Sequence, residues 1–168
     1  PVIGRSHPDY IPLRMAVIAL GGYFGSRLML NIREDKGYTY GISAALVGTV
    51  EGGYVLVSAQ CDNRYTGLLI DEIKNELTAM STTPLSDSEL TNLRLNLEST
   101  LATTLDSPFT QAEYYSTCLN LNIPTDYFDR QQDALEALSA EGIAEISRRY
   151  LDPGQARIAI AGDLSKIK

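Results

Sequence analysis

Histidine occurs once, at His7, and tryptophan not at all. A lone imidazole excludes most zinc catalytic sites, which draw on two or three imidazoles or on Cys and His together. No metal ligand set, and no metal-assisted hydrolysis by this chain alone, is expected. The two cysteines, Cys61 and Cys118, are too few for a disulfide framework and lack C-x-x-C spacing. They read as small buried hydrophobes. Positive charge is scarce as well: 14 Lys and Arg stand against 21 Asp and Glu, a net charge of −7, and the densest basic group is Arg148-Arg149. A nucleic-acid surface needs clustered cations, so no nucleic-acid partner is expected. The longest apolar run, residues 15–20, falls far short of the 18 or so residues of a membrane span. No membrane span and no secretion signal are expected.

What is present fits one globular domain over residues 1–168, with 44% hydrophobic and 21% charged residues. The chain opens on Pro1 rather than Met, and only Val2-Ile3-Gly4 suggests the tail of a strand. It is expected to be a piece excised from a longer protein.

Periodicity predicts the elements. Asp9 opens a helix with Pro12 in its first turn and Leu13, Ala16, Val17 and Leu20 on its apolar face, and Gly21-Gly22 stops it. Ser26 is the expected N-cap of a second, short helix reaching Lys36, with Gly37 as its C′ residue. Two β-rich runs, 38–50 and 54–61, flank Gly52-Gly53 and read as an antiparallel hairpin. Asp62 or Asn63 then caps a long helix, and Pro84 breaks it. Ser86-Asp87-Ser88-Glu89 has the S-x-x-E form of a capping box, and Ser107-Pro108 starts the next helix. Two more open at Thr125 or Asp126 and at Ser139, and residues 156–161 alternate as a closing strand. Strands and helices are segregated, which predicts an α+β fold: a mainly antiparallel sheet with several helices packed on one side.

Three motif-like stretches carry little. Gly21-Gly22-Tyr23-Phe24-Gly25-Ser26 lacks the spacing and preceding strand of a dinucleotide loop and reads as a helix–helix turn. Gly41-Ile42-Ser43-Ala44-Ala45 lacks the last glycine of a nucleophile elbow. Nothing marks Cys118 as a thiolate that His7 could activate. The richer stretch runs from Ser26 to Tyr40. Arg33 falls in the last turns of a helix and Tyr40 three residues past its C-terminal glycine, so a guanidinium and a phenol can converge from two elements. Both donate hydrogen bonds, as a peptide carbonyl requires. The same residues also fit a plainer arrangement, with Arg33 paired to Glu34 or Asp35 and Tyr40 as a strand aromatic.

Leu20-Gly21-Gly22, Ser26-Arg27-Leu28, Ile32-Arg33-Glu34 and Gly37-Tyr38-Thr39-Tyr40, in that order, resemble the signature of the C-terminal, non-zinc-binding domain of the insulinase/pitrilysin family of zinc metallopeptidases. The seven-residue step from Arg33 to Tyr40 is part of that resemblance. Pro84-Leu85-Ser86 with Glu89, and Tyr150-Leu151-Asp152-Pro153 through Ile160-Ala161-Gly162-Asp163, look like later parts of the same pattern, so it covers nearly the whole chain. The chain is shorter than a full family domain. The resemblance implies a processing-peptidase-like half-domain that faces a homologous domain across a clam-shell chamber. That partner, in the same polypeptide or a separate subunit, would carry H-x-x-E-H and the zinc; this sequence contains no H-x-x-E-H. By position, Arg33 and Tyr40 would be the substrate-binding pair on a peptide backbone, with no catalytic or metal residue in this chain. Tyr38, five residues from Arg33, is the nearest competitor for the Tyr role. The isolated chain would be inactive, and the whole protein or complex a zinc metalloendopeptidase. The alternative that the resemblance allows is a catalytically dead scaffold, like the core proteins of a respiratory complex.

Overall fold

The computed structural model describes residues 1–163 and 165. Helix α1 (Tyr10–Gly21) is apolar around most of its circumference, and most of its side chains are buried. That makes it the central helix, the place a helix without a polar stripe must occupy. It lies against β1 (Thr39–Gly48), which pairs antiparallel with β2 (Gly53–Cys61) from Gly48↔Gly53 to Ile42↔Ala59. Gly21 lets helix and strand meet: a Cβ there would stand 2.7 Å from the Ala44 backbone nitrogen.

The hairpin alternates as a half-buried sheet must. Ile42 and Ala44 are buried toward α1, with Val55, Val57 and Ala59 beside them, while Ser43, Ala45, Tyr54, Leu56 and Ser58 are exposed on the opposite face. Helices cover one face and leave the other open, so the architecture is the expected α+β arrangement.

Beyond the hairpin come α2 (Thr66–Thr82), α3 (Asp87–Thr104), α4 (Pro108–Asn120), α5 (Tyr127–Glu136) and α6 (Ala140–Tyr150). Helix α6 packs on α1 and α2 through Ile143 and Ile146. Three caps form where the sequence places them. Ser86 and Glu89 make a reciprocal capping box, Ser107 accepts from the Thr110 N–H ahead of Pro108, and Ser139 accepts from the Gly142 N–H. No described helix is long and apolar enough to cross a membrane.

Three expectations are corrected. Val2 contributes a single antiparallel bridge to Gly53 rather than a strand end. Asp9 does open α1, and its carboxylate accepts from Arg149 Nη1 at 3.0 Å and Tyr150 Oη at 2.9 Å, tying α1 to α6. Ser26 is no side-chain N-cap, since its hydroxyl donates to the Tyr23 carbonyl at 2.6 Å. Residues 156–161 lie exposed and outside any ladder, across a cleft of about 550 Å³ from β2 and α2. Half of that segment is alanine, so pairing it would bury little apolar area against the cost of ordering it.

Arg27 holds the α2–α3 junction. It meets Glu89 Oε1 at 2.7 Å and donates to the carbonyls of Thr83 and Pro84. Burial alone would raise the Glu89 pKa, but the bonds from Arg27 and from the Ser86 N–H and hydroxyl outweigh it and hold the carboxyl below its ordinary range. A lowered folded-state pKa stabilises above the unfolded value of 4.5 and is lost as pH falls through the folded one. Glu89→Gln should therefore be less stable than the parent near neutral pH, and the gap should narrow below about pH 4. Urea midpoints of both proteins across that range check this; a gap independent of pH contradicts it.

Candidate functional site

The expected short helix at 26–36 begins helically at Arg27 and Leu28 but runs as a π-helix over Met29–Asp35. In a π-helix, positions five apart share a face, and this one uses that spacing. Lys36 Nζ donates to Asn31 Oδ1 at 2.5 Å and to Glu72 Oε2 at 2.9 Å, while Asn31 Nδ2 donates to Glu72 and Glu76. The hydrogen bond to Glu72 holds the Lys36 ammonium pKa above its usual value, and the same bond holds Glu72 below the usual carboxylate value. This network moors the polar side of the π-helix to α2, while Ile32, fully buried, moors the other side to the core. Wide π turns of this kind occur often at functional sites.

Gly37 follows with φ +63°, and the Tyr38 N–H closes back on the Ile32 carbonyl at 3.0 Å. The expected C′ glycine is thus present. A Cβ at Gly37 would meet nothing within 4 Å, so substitution there carries conformational strain alone. Gly37→Ala should cost about 1–2 kcal/mol. Urea unfolding checks it, and a loss under about 0.3 kcal/mol contradicts a strained turn.

The chain then enters β1 through a bulge between Thr39 and Ile42. Thr39 pins it, its hydroxyl donating to the Gln60 carbonyl and accepting from the Gly41 N–H. A bulge re-aims side chains and is over-represented beside active sites. Here the re-aimed side chain is Tyr40, which is 98% exposed and has no side-chain hydrogen bond or ring contact among the described residues. Tyr38 is held elsewhere, half-buried and stacked on Tyr65 with ring centroids 5.0 Å apart.

Arg33 is half-buried. Its guanidinium lies over the Phe24 ring, 4.9 Å from the centroid, and its Nη1 stands 3.3 Å from Glu34 Oε1. No hydrogen bond joins Arg33 to Tyr40. The structure sets them on either side of the Gly37 turn, Arg33 seated and Tyr40 free-standing. The plainer arrangement is therefore present in part, since Arg33 does pair with Glu34. Such exposed pairs are worth at most about 1 kcal/mol, so they do not lock the guanidinium. Phe24 was not legible as a site residue; its one signal is a large apolar side chain in a glycine-rich turn.

Zinc does not fit this chain's own residues. Among the described residues, no group of three His, Cys, Asp or Glu could hold a metal ion. His7 is exposed, and its Nδ1 accepts the Asp9 N–H at 3.1 Å.

The family profile described as the peptidase M16 inactive domain matches residues 1–97, more than half of the chain. The chain belongs to that family. Among solved structures, the peptidase M16 inactive domain from Pseudomonas fluorescens superposes with a TM-score of 0.81 at 21% identity, over 90% of this chain. A protease from Helicobacter pylori gives 0.81 at 19% identity over 92%. A chain of Complex III2 from Candida albicans gives 0.72 at 12% identity over 88%. The chain spans about 37% of the length of each of these. No curated protein matches the sequence.

Proposed function

We propose that this domain is the non-catalytic half of a clam-shell proteolytic chamber, holding a peptide backbone with Arg33 and Tyr40 while a partner domain carries H-x-x-E-H and the zinc. The observation that carries the reading is the bare Tyr40 phenol, turned outward by a bulge and engaged by none of the described residues. Arg33 stands seven residues before it, with donors that only a weak exposed pair and an aromatic face occupy. A phenol and a guanidinium add hydrogen bonds to a peptide carbonyl without taking a proton from it. Both would strengthen as negative charge grows on that oxygen. The open face of the hairpin, with Tyr54 and Leu56, would line the chamber on this side. The metal and its chemistry belong to the partner, in the same polypeptide or in a separate subunit, and the chain is a piece of that longer assembly.

The test is a mixed peptide pool given to the chain alone, to the H-x-x-E-H partner alone, and to both together, each with and without a chelator. Cleavage should require both domains and be abolished by the chelator. Turnover by the lone chain that survives chelation, or a partner that cuts equally well without this chain, overturns the reading. One observation favours a second reading, a dead scaffold: the same fold occurs in a chain of Complex III2. A scaffold would assemble normally but leave cleavage indifferent to Arg33 and Tyr40.

A further inference from the structure

Away from the Arg33–Tyr40 surface, a cavity of about 630 Å³ opens between α1, α3, α4 and α5, a volume usual for a small-molecule site. Its wall is divided by chemistry. One part holds two guanidiniums, Arg5 ahead of α1 and Arg14 on α1, with the Tyr10 and Tyr127 rings close by. Arg14 donates to Gln131 Oε1 at 2.8 Å. Arg5 has a buried Nε with no hydrogen-bond partner, and its guanidinium stands over the Tyr10 ring at 5.8 Å. Among the described residues, neither arginine meets a carboxylate at ion-pair distance. The wall's acid, Glu113 on α4, pairs with neither. Two guanidiniums on one wall with no carboxylate at ion-pair distance favour an anion there. The other part of the wall is apolar, built by Ile18, Leu97, Leu101 and Ile123.

We infer that this cavity binds an amphiphilic carboxylate, its head group between Arg5 and Arg14 and its unbranched alkyl tail along Ile18, Leu97, Leu101 and Ile123. A carboxylate matches the guanidinium fork with two parallel hydrogen bonds. A free phosphate would satisfy the arginines and leave the apolar wall wet; a neutral lipid would do the reverse. The chain carries a net charge of −7, so its surface as a whole repels anions and the affinity must come from this local pair.

Titration calorimetry with sodium decanoate, 1-decanol and inorganic phosphate separates these contributions. Decanoate should bind one per chain, decanol at least roughly tenfold more weakly, and phosphate more weakly still. Arg5→Met should bring decanoate down to the decanol affinity, and because it removes a buried donor that has no partner, the urea midpoint should hold or rise. Equal affinity for decanol or phosphate, no binding of decanoate, or a folded Arg5→Met protein that binds undiminished overturns the inference. Should Arg5→Met not fold, nuclear Overhauser contacts between decanoate methylenes and the Leu97 and Ile123 methyls in the parent chain decide: their presence supports the site, and their absence overturns it.

Discussion

Arg33→Ala and Tyr40→Phe, introduced singly into the proposed two-domain peptidase, should each lower kcat/KM by about 2–4 kcal/mol of transition-state stabilisation, roughly 30- to 1,000-fold, and leave the domain folded. The magnitude is that of removing one preorganised donor from a developing oxyanion. Stability should change by less than about 1 kcal/mol in either variant. Arg33 gives up an exposed pair with Glu34 and a stack on exposed Phe24, each of modest worth. Tyr40 gives up nothing internal. Tyr40→Phe keeps the ring and removes only the hydroxyl, so a rate loss there isolates the hydrogen bond. Steady-state kinetics on short peptides beside urea unfolding of the same samples check both halves of the claim. Unchanged kinetics in both variants removes the pair from the mechanism.

One residue before Arg33 the expectation inverts. Ile32→Ala should cost about 2–5 kcal/mol of folding stability, the range for truncating a large aliphatic side chain in a packed core. Ile32 is fully buried under the π-helix, in the cluster that contains Leu20, Leu28 and Ile42, and its carbonyl receives the Tyr38 N–H. A cavity there loosens the floor on which Arg33 is carried. Below its melting range the variant should keep most of the cleavage rate of the proposed two-domain assembly, because Arg33 and Tyr40, the groups proposed to hold the peptide, remain. Denaturant unfolding and kinetics on the same preparation separate the two effects. A stability loss under about 0.5 kcal/mol would mean that the core does not support the π-helix.

Much of this was legible because it is local. The caps at Ser86, Ser107 and Ser139, the hairpin around Gly53 and the left-handed Gly37 depend on neighbours within a few residues, and each forms as the sequence suggests. The seven-residue step from Arg33 to Tyr40 came with the family resemblance, and the substrate-binding role it implies belongs to the proposal. What was not legible depends on partners far along the chain. An α-helix and a π-helix share the apolar pattern of Leu28 and Ile32; Asn31 and Lys36, five apart, come together on Glu72 of α2. Asp9 had a local role available as a cap, but Arg149 and Tyr150, about 140 residues away in sequence, take its carboxylate. Residues 156–161 alternate as a strand should, yet they stay unpaired across a cleft from β2, whose outer side carries no strand among the described residues. Phe24 lies in a turn whose path only the folded chain determines, and with it the seat of Arg33.

The most direct test of the central claim is the mass and zinc content of the native species captured by an antibody against this domain. The expected result is a zinc-loaded species well above the 18.4 kDa of this chain, whose other part carries H-x-x-E-H. A zinc-free species with no H-x-x-E-H domain would contradict it, and Arg33 and Tyr40 would then have no scissile bond to hold.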